Sequence, residues 1–133
     1  MDLAAANAVL ERVLAPWVKD LGLVVEAVGP EGATLLLPAA DRLKHSGGMV
    51  CGQVFMAAAD TAMVVAFSAA LGGFRPMTTV NLNTTFLRPV LQGDMRLTAR
   101  VVRTGKNLLY GDVDILGADG KVAVHATTMY ALI

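Results

Sequence analysis

The sequence predicts an α+β fold in which one antiparallel sheet curls around a long apolar helix. The first observation behind this prediction is that Asp60 is the only charged residue between Met49 and Phe74. The second is a period-two alternation of apolar and polar residues from Met77 onward, which is typical of half-buried strands. The third is the order of the predicted elements: one helix, two strands, the long helix and four more strands.

The first predicted helix runs from Leu3 to Leu21, with Asp2 as its N-cap and Gly22 as its stop. Its apolar side chains recur at helical spacing, so we expect one face to be packed and the other to meet solvent. The residues that define this face are Leu10, Val13, Leu14, Trp17, Val18 and Leu21.

Six runs are predicted to be strands because turn-forming residues bound them. The first two are Leu23 to Val28 and Ala33 to Leu37, and the turn between them makes the pair a hairpin. The other four are Thr78 to Leu87, Met95 to Arg103, Leu108 to Leu116 and Val122 to Ala131. Because short glycine-containing turns join the last three, we expect them to form an antiparallel meander.

The long apolar stretch is predicted to be a core helix from Gly52 to Leu71, ended by Gly72-Gly73. Such a helix is apolar all round when protein surrounds it on every side. A transmembrane span is the alternative interpretation. An ionisable residue near the middle of the stretch, together with Gln53, Thr61 and Ser68, favours the core helix.

Length and charge limit the classes of function. A chain of 133 residues suffices for one domain, 1–133, and leaves no room for a second ordinary one. The 11 basic and 11 acidic residues balance and form no run of like sign. We therefore expect neither nucleic acid nor a membrane as a partner.

The cysteine content, the N-terminus and the hydrophobicity each add an expectation. Cys51 is the only cysteine, and no His or Cys spacing resembles a metal site, so we expect no disulfide, no metal and no cofactor. The N-terminus does not resemble a secretory signal, so a cytoplasmic location is expected. Since 55% of the residues are hydrophobic, we expect further burial between subunits.

Asp60 is the leading catalytic candidate. Its neighbours one helical turn away are Met56, Ala57, Met63 and Val64, which should surround the carboxylate with hydrocarbon. An ionised carboxylate in such a place costs several kcal/mol unless it is paired or used. Perturbed carboxylates of this kind concentrate at functional sites.

A glycine-containing loop, His45 to Gly52, enters the same helix. A helix N-terminus offers unpaired amides and a positive dipole end, which can hold an anion or a carbonyl oxygen that gains charge. Gln53 lies almost two turns before Asp60 on the same face. A substrate along this face would contact the helix N-terminus and the carboxylate.

Over nearly its whole length the sequence resembles the PaaI-like thioesterases of the hotdog superfamily, which hydrolyse acyl-coenzyme A. Gly48, Gly52 and Asp60 match the family motif in type and spacing, as does Leu87-Arg88-Pro89. The segment Val101 to Lys106 is similar to the family's turn between its fourth and fifth strands. At three positions the sequence departs from the motif: His45 stands in place of Asn, Cys51 in place of His, and Gln53 in place of a second Gly.

The resemblance implies a hotdog fold and an acyl-CoA thioesterase without a cofactor. In this role the Gly52 amide would polarise the thioester carbonyl, and Asp60 would be the general base or the nucleophile. The resemblance also implies a homodimer that pairs its sheets, or a homotetramer. The loop from His45 to Gly48 of one chain would then face Asp60 of the other.

Several residues are candidates for binding substrate, each with an ordinary structural alternative. His45 would orient water in place of the missing Asn, or be an exposed loop histidine. Gln53 would line the acyl pocket or fill it. Cys51 would be a nucleophile at the helix N-terminus or, as we favour, a small apolar residue.

The strands contribute further candidates. Thr79 corresponds to a hydroxyl residue near the site in some relatives, although strict alternation along the strand favours Thr78. Arg88, Arg103 and Lys106 lie at turns, where they would reach the phosphates of coenzyme A or simply be solvated.

Two other functions are compatible with these residues. The first is a hotdog protein that binds acyl-CoA without hydrolysing it, which the altered motif positions favour. The second is a hotdog dehydratase that acts on acyl carrier protein substrates. It is the weaker alternative, because those enzymes use a catalytic histidine and Cys51 occupies the central motif position.

Overall fold

The computed structural model describes residues 1–133 and contains six strands, three α-helices and one 3-10 turn. The helices are α1 Leu3–Val13, α2 Pro16–Lys19 and α3 Gly52–Ala70, and the 3-10 turn is Asp41–Leu43. The strands are β1 Val24–Gly29, β2 Gly32–Leu37, β3 Met77–Phe86, β4 Met95–Thr104, β5 Leu108–Leu116 and β6 Val122–Leu132. Every predicted strand and the long helix are present, with ends within one residue of those predicted.

The N-terminal helix differs from its prediction. Instead of one helix to Leu21, α1 ends at Val13 and a second short helix begins at Pro16. Proline has no amide hydrogen for the helical bond and its ring clashes with the preceding turn, but it is well suited to the first position of a new helix. As a result Trp17, predicted on the packed face, is 64% exposed. The predicted N-cap is confirmed, since the Asp2 carboxylate accepts a hydrogen bond from the Ala5 amide at 2.8 Å.

The strands form one antiparallel sheet in the order β1-β2-β4-β5-β6-β3. The hairpin β1-β2 and the meander β4-β5-β6 are as predicted. The strand β3 pairs with β6 on one side only, so its other edge has no partner in the chain. This curled sheet around α3 is the predicted hotdog arrangement.

The core lies between α3 and the concave face of the sheet. Small residues on the helix, among them Ala58, Ala59 and Ala62, are fully buried and let it approach the strands closely. The opposite residues of the sheet, such as Leu97, Leu109 and Val113, are fully buried as well. The apolar stretch is therefore explained by packing around the helix.

Within one chain, protein does not surround α3 on every side, because one stripe of the helix stays open. Gln53 and Met56 are exposed, and Ala57, Asp60 and Val64 are only half-buried. The sheet curls around the helix but does not close over it, so this stripe stays open. By length and composition α3 is the one helix that could cross a membrane, yet 72% of its most apolar window is buried inside the fold.

Gly111 lies where α3 and β4 leave no space for a side chain. A Cβ atom added there would lie 2.3 Å from Met63 Cε and 2.5 Å from the Arg100 carbonyl oxygen. The carbonyl belongs to the paired strand and cannot move away cheaply. Only glycine therefore fits between the helix and β4.

Replacing Gly111 by Ala should lower the free energy of unfolding by about 1–3 kcal/mol, because the core would be overpacked. Urea unfolding measures the change. Gly29→Ala is the matched control, since a Cβ there would meet no atom within 4 Å. A Gly111→Ala protein as stable as the Gly29→Ala protein would contradict this account of the packing.

Candidate active site

The Asp60 carboxylate is held by one of its two oxygens. The Thr79 hydroxyl donates to Asp60 Oδ1 at 2.9 Å, and the Tyr130 hydroxyl donates to the same oxygen at 2.5 Å. Asp60 Oδ2 accepts no hydrogen bond from the chain, and no basic group lies within ion-pair distance of either oxygen. The free oxygen is thus the one available to a substrate or a water molecule.

The surroundings of Asp60 differ from the all-hydrocarbon setting that was predicted. Met63 is buried as expected, but Met56 is exposed and the carboxylate itself is half-buried. Two hydroxyls lie on one side of the carboxylate and the open stripe of α3 on the other. The sheet ends at β3 and supplies polar rather than apolar groups at this point.

Thr79, rather than Thr78, contacts the carboxylate. Alternation with Leu82 and Phe86 favoured Thr78, but the register of β3 against β6 shifts between Thr79 and Asn81. The extra residue of this β-bulge turns the side chains before it to the opposite face. The bulge therefore decides which threonine reaches Asp60.

Tyr130 was missed by the sequence analysis. It is 2% exposed, lies opposite Thr79 in the ladder, and packs its ring 5.4 Å from that of Phe67. Burial, and next the nearby Asp60 carboxylate, raise the pKa of Tyr130 above its ordinary value, so its hydroxyl stays protonated and remains a donor. The available signal was a hydroxyl in the inward-facing row of β6, formed by Val124, Ala126, Thr128 and Tyr130.

The N-terminus of α3 has free amides. Cys51 is the extended residue before the helix and gives no side-chain cap, whereas its own amide bonds the Leu43 carbonyl at 3.0 Å. The amides of Gly52 and Gln53 donate to no group in the chain. They point out of the positive end of a long helix, where an acceptor gaining negative charge is stabilised.

A cleft of about 280 Å³ lies beside Gly52. Its walls are mainly apolar, with Phe55 and Phe86 packed edge to face at 6.1 Å. The side chains that line it are those of His45, Met49, Val50, Phe55, Phe86, Leu87, Arg88 and Pro89. An apolar chain attached to a carbonyl group near the Gly52 amide would fit this cleft.

The other predicted site residues lie around these two centres. His45 lines the cleft, and its Nδ1 accepts a hydrogen bond from the Gly47 amide at 2.8 Å, which occupies that nitrogen in the loop. Gly48 turns the loop with a φ of +82°, a value that favours glycine. Cys51 is half-buried, and Gln53 is exposed at the start of the open stripe.

The cationic candidates are exposed and form no ion pair in the chain. Arg88 lies at the rim of the cleft. Arg103 and Lys106 flank the turn between β4 and β5. The structure does not bring Arg88 together with the other two. No cluster of three or more His, Cys, Asp or Glu side chains has a geometry that could hold a metal ion.

Within one chain, Gly52 and Asp60 do not meet. They are eight residues apart on a helix, which separates them by about 12 Å along its axis at 1.5 Å per residue. A thioester carbonyl bound to the Gly52 amide therefore lies beyond the reach of Asp60 in the same chain. Within one chain the candidate site is therefore divided into two candidate half-sites, the helix N-terminus and Asp60.

A curled antiparallel sheet around a central helix, with free amides where the helix starts, defines the hotdog class of proteins. The family model of the thioesterase superfamily matches residues 47–124, from the loop before α3 to the first residues of β6. The chain belongs to the thioesterase superfamily. Membership in this superfamily supports the hydrolysis of thioesters.

Individual relatives agree with this assignment. A predicted esterase from Thermoplasma volcanium is 29% identical over 124 residues, which cover 87% of this chain and 86% of the relative. The structure of a predicted esterase from Mycobacterium tuberculosis has a TM-score of 0.83 at 26% identity and covers 90% of this chain and 97% of its own. The PaaI protein of Escherichia coli shares the fold, with a TM-score of 0.85 at 20% identity over 98% of this chain and 91% of its own.

The raised pKa of Tyr130 predicts a loss of stability in alkali. A folded-state pKa above the unfolded value means that the folded state binds more protons, so this stability is fully present below pH about 10 and decreases as the pH rises further. Urea unfolding at several pH values between about 8 and 11 measures the slope. In Tyr130→Phe this component of the slope should disappear, and an unchanged slope would contradict the assignment.

Proposed function

We propose that this protein hydrolyses acyl-CoA thioesters to the free acid and CoA. Asp60 acts as the general base, or alternatively as the nucleophile, and the Gly52 amide polarises the carbonyl. The observation that carries the proposal is the state of Asp60: a carboxylate on an apolar helix, held through Oδ1 alone, with Oδ2 free on an open stripe. Superfamily membership supports the reaction class.

As a general base, Asp60 Oδ2 takes a proton from water while the water oxygen bonds to the thioester carbon. The carbonyl oxygen gains charge and is stabilised by the amides that begin α3. When the C–S bond breaks, Asp60 returns the proton to the leaving thiolate. As a nucleophile, the carboxylate would instead form an anhydride that water then hydrolyses.

The reaction requires two chains, because about 12 Å separates the two half-sites within one chain. The unpaired edge of β3 offers the surface for a dimer. This strand has no charged residue and no proline, the usual protections of an edge. It also exposes Val80 and Phe86 by 56% and 51%.

A twofold pairing of β3 with its copy brings the half-sites together. If the axis lies at the middle of the strand, between Asn81 and Leu82, Met77 comes opposite Phe86 of the partner subunit. Phe86 lines the same cleft as Gly52, whereas Thr79, two residues from Met77, contacts Asp60. This register therefore moves the partner's helix N-terminus towards Asp60 and supports a homodimer as the smallest active unit, from which a homotetramer can be built.

The remaining site residues receive roles in substrate binding. The apolar cleft beside Gly52 takes the acyl group, and Cys51 and Gln53 flank Gly52 in the sequence. His45 and Gly48 shape the loop that closes one side of it. The exposed cations Arg88 and Lys106 are available for the phosphates of CoA, which bind such groups through charge-assisted hydrogen bonds.

Asp60→Asn should lower kcat by about 10²- to 10⁴-fold, because the amide cannot accept the proton from water. Release of free CoA thiol from a panel of aliphatic and aromatic acyl-CoAs measures the rate. Asp20→Asn, an equal change at an exposed position after α2, should leave it unchanged. Equal, negligible hydrolysis by wild type and Asp60→Asn would favour a protein that binds acyl-CoA without cleaving it.

Gly52→Pro tests the amide. The first helical position accepts proline, and the extended Cys51 has the conformation preferred before it. Loss of this donor should lower kcat by about 10²- to 10³-fold. Gly52→Ala is the matched control, since it keeps the amide hydrogen. Like proline, alanine adds a Cβ atom, which would lie 3.4 Å from the Phe86 ring. Equal kcat values for the two variants would exclude the amide as an oxyanion donor.

Mixing the two inactive variants tests whether the site lies between subunits. In a heterodimer of Asp60→Asn and Gly52→Pro, one of the two sites has both native groups. Random association should therefore restore about a quarter of wild-type activity, since half of the dimers are mixed. Co-refolded protein that stays inactive would show that each site belongs to one chain.

A further inference from the structure

We propose that Tyr130 is a positioning residue for the reaction: it holds Asp60 by Oδ1 and so presents Oδ2 to the substrate. The inference rests on the proposed hydrolysis and goes one step beyond it. It assigns a role to a residue outside the loop and helix of the superfamily motif, on the last strand of the sheet. It also names the carboxylate oxygen that reacts.

The Tyr130 hydroxyl contacts Asp60 at two atoms. Its oxygen lies 2.5 Å from Asp60 Oδ1 and 3.1 Å from the Asp60 carbonyl oxygen. A hydroxyl has one proton, and the nearer carboxylate oxygen receives it. Because the hydroxyl lies against both the backbone and the side chain of one residue, it fixes where Oδ1 can be.

The Tyr130 phenol is a rigid donor. The tyrosine ring is 2% exposed, packs against Phe67, and belongs to a strand paired on both sides, with β5 and with β3. Its phenol therefore has a fixed position relative to the sheet. Thr79, on the neighbouring strand, adds a second donor to the same oxygen.

The two donors on Oδ1 restrict how the Asp60 carboxylate can turn. The terminal torsion of an aspartate is soft, so an unrestrained carboxylate can turn either oxygen towards the open stripe. Two donors on Oδ1 remove that freedom and leave Oδ2 as the only free acceptor. Both donors are neutral hydroxyls, so the carboxylate is oriented without an ion pair.

Steady-state kinetics of Tyr130→Phe with the best acyl-CoA substrate of the panel test the proposal. The change removes one oxygen and keeps the ring. We expect kcat to fall by about 10- to 100-fold with KM within about twofold, because the reacting oxygen is misplaced while binding is retained. Tyr110→Phe is the matched control, since Tyr110 lies on the outer face of β5 and its hydroxyl has no hydrogen bond; its kcat should equal that of wild type.

Thr79→Val removes the other donor at a position of β3 that is exposed in the single chain, and Thr79→Ser keeps it. The elution volume in size-exclusion chromatography should be the same for both variants, so that a loss of the proposed dimer is not mistaken for loss of the hydroxyl. We expect Thr79→Val to lower kcat by severalfold, Thr79→Ser to retain it, and the double variant with Tyr130→Phe to approach Asp60→Asn. A serine variant as impaired as the valine variant would overturn the role of the hydroxyl. If Tyr130→Phe does not fold, the Thr79 pair still decides whether Oδ1 must be held.

Four outcomes separate this inference from the function on which it rests. If wild type cleaves no acyl-CoA, the proposed hydrolysis fails and the positioning role with it. If Asp60→Asn cleaves it as fast as an active wild type, hydrolysis stands but the catalytic role of Asp60 and the positioning role both fail. If wild type is active, Asp60→Asn is impaired and folded Tyr130→Phe keeps the wild-type kcat, only the positioning role is overturned. A change in KM alone would likewise overturn it.

Discussion

The structure depends on keeping a carboxylate on a helix most of whose surface is packed into the core. A charge in this place is tolerated only where hydrogen bonds replace the lost water. Here the hydroxyls of Thr79 and Tyr130 supply them from the last two strands of the sheet, and the open stripe of α3 leaves the second oxygen accessible. The order of strands, with β6 and β3 at one end of the sheet, is what places these hydroxyls under Asp60.

The same helix also requires small residues and an uncapped start. Alanines such as Ala58 and Ala62, and the glycine at position 111 of β5, let α3 lie close to the sheet. At its N-terminus the absence of a side-chain cap leaves the Gly52 and Gln53 amides free. An isolated helix loses stability without a cap, but here tertiary packing holds α3 in place, so its first amides remain available to a ligand.

Most of the fold follows from local signals in the sequence, and the site follows only in part. Glycine and proline bound the strands, and the single charge in the long apolar run indicates Asp60. Pro16 divides the first helix, although the apolar spacing continues across it. The choice of Thr79 depends on a β-bulge that arises from pairing with β6, and a buried tyrosine in an inward-facing row is usually part of the core. Contacts between strands far apart in the sequence decide which threonine reaches Asp60 and what the buried tyrosine contacts. Local sequence patterns do not contain that information.

The length of α3 connects the fold of one chain with the proposed homodimer. Eight residues of helix keep the free amides at the start of α3 and the Asp60 carboxylate apart, so no side-chain rearrangement within one chain can join them. The uncharged edge of β3 is a liability for an isolated chain, because it can pair with any exposed strand. In the proposed homodimer, pairing with its own copy would remove that liability and would also bring one chain's amides towards the other's carboxylate. In that dimer, protection of the sheet edge and completion of the proposed site would be the same event.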